Sequence, residues 1–308
     1  MGTTIISSFL TVYAYRKGSV VLSGALLGFI FCFTMFLINI IVGISLILCY
    51  FFTNKATRYN SQIKARFETE FKKGGQRDWV QIISNLGIAN LFVLFQLLFY
   101  DIGEYRIDFH HHSALEYGRS WLLIGALASI SSALGDTLSS ELGPVWSKED
   151  PLLILNLKPV PRGTNGGVTI AGFFASLIGG AVIGIGAWLY QIIFSASGIT
   201  SSYVNYHWKT PQWPILAFCL YSSLFGTIID SILGALFQYT GYDKLKRKVI
   251  ETPPKDKDEN SFIEHISGIP LLDNHDVNCL AILITGILTP IFACFFWPTW
   301  LSEFEFLI

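Results

Sequence analysis

Charge is what this chain has least of. Only 14% of its 308 residues are Asp, Glu, Lys or Arg, against roughly 25% in soluble domains. So few charges cannot clothe a soluble enzyme of this size, and they leave no basic face for a nucleic acid. Disorder is excluded too, because 52% of the residues are hydrophobic and 15% aromatic, far too apolar to stay solvated. Cysteine is sparse as well. Cys32, Cys49, Cys219, Cys279 and Cys294 all lie in apolar runs, with no metal-ligand spacing among them. They form neither a disulfide framework nor a zinc site and read as small hydrophobes inside a helix bundle.

What is abundant is apolar sequence in long blocks. A spanning helix needs about 20 mostly apolar residues, and 79–100, 118–142, 168–195, 213–238 and 277–299 each qualify. The apolar stretch 19–52 is too long for one straight crossing. It reads as a hairpin of two tight helices breaking between Thr34 and Asn39. Residues 3–14 add a short or tilted first helix, since their basic residues, Arg16 and Lys17, follow the apolar run where a signal peptide would place them before it. The expected fold is all-α, a polytopic integral membrane bundle of about seven to eight transmembrane helices, forming one membrane domain over 1–308.

The basic residues set an orientation. Loops 15–18, 53–78, 143–167 and 241–276 hold 18 of the 21 lysines and arginines, and Arg106, Arg119 and Lys209 lie in the other loops. This bias places the basic loops in the cytosol, and the loops alternate correctly only if 19–52 crosses twice. Within 53–78 the sequence predicts an amphipathic surface helix from about Ala56 to Phe71. In 241–276 the PPKDKDEN segment reads as flexible. No transit peptide precedes the first helix, which favours the endoplasmic reticulum or another endomembrane.

Four groups of residues could carry chemistry. Gly135-Asp136-Thr137-Leu138-Ser139-Ser140-Glu141 ends the 118–142 helix at the basic side. Carboxylates at the edge of a span default to a functional reading, and two acids with three hydroxyls suit Mg²⁺ carrying a phosphate chain. Their alternative is simply to face water at the interface. Lys158-Pro159-Val160-Pro161-Arg162-Gly163-Thr164-Asn165-Gly166-Gly167 runs straight into the next helix. Glycine-rich backbone, a helix N-terminus and two cations together suit an anion cradle, although no Walker A sequence is present and a plain Pro-Gly turn is the alternative. Asp230, deep in 213–238, fits either a further metal ligand or a helix–helix contact. Asn39, Asn85 and Asn90 read as interhelical glue. Lys72, Lys73, Gln76 and Arg77 precede one helix, and Asn274, Asp276 and Asn278 precede another. The basic set fits lipid headgroups as well as a substrate. His110-His111-His112 lies on the far side with no ligand pattern around it.

These segments resemble the transmembrane protein 19 family. The resemblance is carried by FFTNKATRYNSQIKARFETEFKKGGQRDWVQIISN at 51–85, GDTLSSELGPVWSK at 135–148, KPVPRGTNGGVT at 158–169, DSILGA at 230–235 and PLLDNHDVN at 270–278. That family includes the plant phytyl-phosphate kinase of the vitamin E pathway. The resemblance implies transfer of a phosphoryl group from a nucleoside triphosphate, CTP preferred, to an isoprenoid monophosphate lipid.

Read through that chemistry, Asp136, Glu141 and Asp230 would hold Mg²⁺. Lys158, Arg162, Gly163, Thr164, Asn165, Gly166 and Gly167 would cradle the triphosphate, and Arg77 or Lys73 would receive the acceptor phosphate. Asp136, Glu141, Lys158 and Arg162 are the expected catalytic set. The competing readings are a membrane cytidylyltransferase, which would release pyrophosphate, and a lipid or small-molecule transporter.

Overall fold

The computed structural model describes residues 1–59, 76–109, 114–196, 212–254 and 262–304. Most of the expected surface helix, Lys72, Lys73 and the histidine triplet lie outside them. Among the described residues eight helices form the body: α1 (Gly2–Arg16), α2 (Leu22–Ile38), α3 (Ile40–Arg58), α4 (Trp79–Phe99), α5 (Ala114–Trp146), α6 (Ile170–Ala196), α7 (Pro214–Phe237) and α8 (Asn274–Phe304). Helices α3 to α8 are long and apolar enough to cross a membrane. At 1.5 Å per residue, the 15 residues of α1 and 17 of α2 reach only about 22 and 26 Å, short of the roughly 30 Å hydrocarbon layer. The protein is a polytopic helical membrane bundle with these two shorter members at one flank.

Helix α5 is the axis. Its spanning window is 78% buried, against 39–44% for the other five. Alanine, serine and glycine make that possible, because small side chains let backbones approach where hydrophobic collapse offers no drive. A Cβ on Gly135 of α5 would stand 1.9 Å from Ser223 Oγ of α7, and one on Gly226 of α7 would stand 2.0 Å from Ser132 Oγ. Ser176 of α6 closes the triangle, with its hydroxyl 2.9 Å from Thr227 Oγ1 and 3.2 Å from Ser223 Oγ.

The 19–52 stretch is a hairpin, and its break is one residue, Asn39, with extended backbone. Asn39 also explains why the break holds. Its amide donates to Gln96 Oε1 at 3.0 Å, Gln96 donates to Gly103 O at 3.0 Å, and Gly103 N–H returns to Ile38 O at 3.1 Å. The same end is tied by the Gln212 amide, bonded to Ile107 N–H and C=O at 3.0 and 2.9 Å, and by an Arg119–Asp101 ion pair at 2.7 Å.

The basic end carries structure that the helix pattern does not announce. Strands β1 (Leu152–Leu153) and β2 (Gly167–Val168) pair antiparallel and close the 151–168 loop. Strands β3 (Thr240–Asp243), β4 (Lys248–Ile250) and β5 (Ile263–Ser267) form an antiparallel sheet in the order β4-β3-β5. Part of the 241–276 loop is therefore ordered: Gly241 pairs with Ile250 and Tyr242 with Val249. Asp243 fixes the hairpin turn by accepting from the Leu245 and Lys246 N–H groups, each at 2.9 Å.

Candidate functional site

A cavity of about 470 Å³ opens among α1 to α5, α7 and the 163–169 segment at the basic end. Its position follows from local packing. Gly135 and Gly226 draw α5 and α7 together, and the next residue of α5 and the next turn of α7 present Asp136 and Asp230 to the cavity. The two carboxylates lie within electrostatic reach of each other. No lysine or arginine among the described residues forms an ion pair with either. Asn278 of α8, with its amide nitrogen turned to the acid, donates to Asp230 Oδ1 at 3.0 Å and sits 3.3 Å from Asn85 of α4.

Arg77 lines the same cavity. Its backbone is strapped to the start of α2, with Val21 N–H on Arg77 O at 3.0 Å and Arg77 N–H on Ser19 O at 3.1 Å. A Cβ on Gly24 would stand 2.4 Å from Arg77 O, so only glycine admits this contact. The guanidinium donates to Asn54 Oδ1 at 2.9 Å, and no carboxylate among the described residues pairs with it. Burial, with Arg58 nearby, pulls its pKa below the ordinary arginine value. The charge is thus uncomfortable as it stands and favours an anion opposite it. Asn54 and the Thr57 hydroxyl, 3.5 Å from the same guanidinium, are positioning groups that sequence reasoning missed. The signal was there: two polar residues a turn apart at the end of an apolar run.

The third wall is the glycine-rich segment. Gly163 and Gly166 have φ of +90° and +78°, which L side chains adopt at a cost. Gly166 is also pressed on α7, where a Cβ would meet Ala235 Cβ at 2.4 Å and Ser231 O at 2.6 Å. Thr164, Asn165, Gly166 and Gly167 all line the cavity, as does Thr169, whose hydroxyl accepts from Gly172 N–H at 3.0 Å and caps α6. The positive end of α6 therefore points at the site. The cradle is narrower than its sequence suggests. Asn165 N–H is taken by Thr240 Oγ1 at 3.3 Å and Gly167 N–H by Thr164 O at 2.9 Å. The Asn165 side-chain nitrogen, buried with no partner among the described residues, can meet an anion.

Three expected members are placed differently. Lys158 stands exposed on the turn beside Leu157 and does not line the cavity. Arg162 lines it but is engaged with the chain. It donates to the carbonyls of Pro144, Ser147, Lys148 and Glu149 at 3.0–3.3 Å and lies 3.6 Å from Asp150. It is a strut under the C-terminus of α5, where a cation is electrostatically favoured. Glu141 lines the cavity too, about 140° round the helix from Asp136. Among the described residues no three His, Cys, Asp or Glu side chains converge on a metal position. The Asp136–Asp230 pair is what fits: Mg²⁺ takes one or two carboxylates and completes its shell with phosphate oxygens and water.

A family model described as integral membrane protein DUF92 matches residues 5–286. The chain belongs to that family. The chain is 34% identical to Protein PGR of Arabidopsis thaliana over 93% of each chain. It is 28% identical to an uncharacterized membrane protein of Methanocaldococcus jannaschii over 58% of this chain and 54% of that one. Similarity to Protein VTE6, chloroplastic, of Arabidopsis thaliana is 31% over 37% of this chain and 29% of the relative. No solved structure matches this DUF92 protein.

Proposed function

We propose that this DUF92 protein is a membrane-embedded isoprenoid monophosphate kinase that uses a nucleoside triphosphate, CTP by the family resemblance. The observation that carries the reading is one cavity lined by Asp136 and Asp230, a carboxylate couple without an ion-pair partner among the described residues, together with Arg77 and Asn165. The partial similarity to Protein VTE6, chloroplastic, supports it.

Phosphoryl transfer asks a protein mainly for positioning and charge neutralisation. Asp136 and Asp230 would hold Mg²⁺, which on binding neutralises charge on the triphosphate. Asn165 and the α6 N-terminus receive the triphosphate oxygens, and Arg77 holds the acceptor phosphate. An oxygen of that monophosphate attacks the γ-phosphorus. The bond from the γ-phosphorus to the bridging oxygen breaks, leaving a nucleoside diphosphate and a lipid diphosphate. The acceptor is already anionic, so the reading needs no side-chain base.

The test uses purified protein in detergent with Mg²⁺, γ-labelled CTP and isoprenyl monophosphates. Label is expected to move to the lipid, with CDP as the second product. Asp136→Asn and Asp230→Asn should each lower turnover by at least about 100-fold, in line with the loss of a preorganised electrostatic group, while remaining monodisperse. A fully active Asp136→Asn protein overturns the assignment. Pyrophosphate in place of CDP identifies a cytidylyltransferase.

A further inference from the structure

The cavity has a second half. Below Arg77 it runs between α1, α2 and α3, and none of the lining residues those helices contribute is charged. On α2 the lining residues Gly24, Gly28 and Cys32 are four apart and share one face, while Leu22, Leu26 and Ile30 cover the outer face at 62%, 62% and 51% exposure. Two of those inner positions are glycines, for different reasons. Gly24 makes room for the Arg77 carbonyl. Gly28 makes room for no described residue: outside its own stretch of helix, no atom of the described residues lies within 4 Å of where its Cβ would stand. A glycine inside a helix costs roughly 0.5–1 kcal/mol relative to alanine, and here the vacated space belongs to the cavity. Leu10 and Ala14 of α1, Leu46 of α3 and Leu86 of α4 line the same cavity.

We propose that this apolar half seats the hydrocarbon chain of the acceptor, and that Gly28 sets how much chain it takes. The inference rests on the kinase reading above, because it needs the phosphate at Arg77. From Gly24, level with Arg77, to Cys32 is eight residues, about 12 Å of helix. At about 1.5 Å per carbon–carbon bond, that length accommodates roughly eight to ten chain carbons. The walls offer a hydrocarbon burial without desolvating a charge. A side chain at position 28 would project into the path without displacing a neighbour.

The experiment compares isoprenyl monophosphates of one, two and four isoprene units in wild type, Gly28→Ala, Gly28→Phe and, as an outer-face control, Leu26→Phe. Both Gly28 variants should lower the ratio of kcat/KM for the longest to the shortest acceptor, by at least about tenfold for phenylalanine, the scale of a misfilled apolar pocket. The KM for nucleotide should not move, and Leu26→Phe should keep the wild-type ratio. A four-unit monophosphate with a photoreactive chain end should also label α1, α2 or α3 peptides in wild type without nucleotide, and Gly28→Phe should abolish that labelling. An unchanged ratio in folded Gly28→Phe, or labelling that maps elsewhere, overturns the slot. If phenylalanine does not fold, Gly28→Ala decides, since open space and helix propensity both admit it. Failure of the kinase reading looks different: wild type then transfers no phosphate to any acceptor, whatever the labelling shows.

Discussion

Replacing Gly166 with alanine tests whether the glycine-rich segment is held in one place by contact with α7. The residue sits at φ +78°, a conformation that costs a side-chain-bearing residue about 1–2 kcal/mol. The new methyl would also start 2.4 Å from Ala235 Cβ and 2.6 Å from Ser231 O. Neither neighbour is the end of a flexible side chain, so the segment must lift by about an ångström, at an overpacking cost of about 1–3 kcal/mol. The sum is roughly 2–5 kcal/mol, which in a chain of this length lowers a thermal midpoint by about 4–10 °C. The same lift carries Asn165 away from the carboxylate couple, and a misplacement of about 1 Å is worth up to about 100-fold in rate. Thermal unfolding in detergent, nucleotide affinity and turnover are read on one preparation. A Gly166→Ala protein with wild-type midpoint and wild-type affinity would refute the reasoning, because it would mean that the segment does not bear on α7.

Arg77→Lys keeps the charge but loses the planar fork that reaches Asn54 and Thr57; KM for the lipid monophosphate should rise by about tenfold or more with nucleotide KM unchanged, in steady-state kinetics varying each substrate. Arg162→Ala removes hydrogen bonds to four carbonyls and should cost about 2–4 kcal/mol of stability, seen as a lowered midpoint, whereas Lys158→Ala should leave both midpoint and nucleotide affinity near wild type. At the other end, burial raises Glu104 from 4.5 to about 7. The folded protein then keeps a proton that the unfolded chain releases, so this group's stability contribution is complete below about pH 4.5 and is lost as pH rises through 7. Glu104→Gln should flatten the midpoint across that window, measured as thermal unfolding against pH.

Much of this architecture is legible in the residues, and the exceptions share a cause. The break in 19–52 falls at Asn39, inside the interval expected from length alone, because two crossings cannot fit without one. Asp136 and Asp230 stand out because a carboxylate in an apolar run is costly unless a site or a partner receives it. Periodicity cannot say which way a loop residue turns, and there the reading fails. Lys158 and Arg162 look alike in sequence, yet one is exposed and the other binds the end of α5. The β3–β5 sheet hides because its strands have only three to five residues and β4 and β5 are separated by a charged, proline-bearing stretch.

The Arg162 strut has a mechanical meaning. It welds the C-terminal end of α5 to the segment that follows, and Gly166 and the Thr240–Asn165 bond fasten that segment to α7 and the small sheet. On the kinase reading, the metal-facing and triphosphate-facing sides of the cavity are thus tied into one block. The lipid-facing side is built otherwise: α1 buries only Ser7 and Ala14 of its 15 residues, and it leans on α2 without being threaded into the core. On the kinase reading, the side held by fewer buried contacts is therefore the one where a greasy substrate would enter from the bilayer and a bulkier, more charged product would leave.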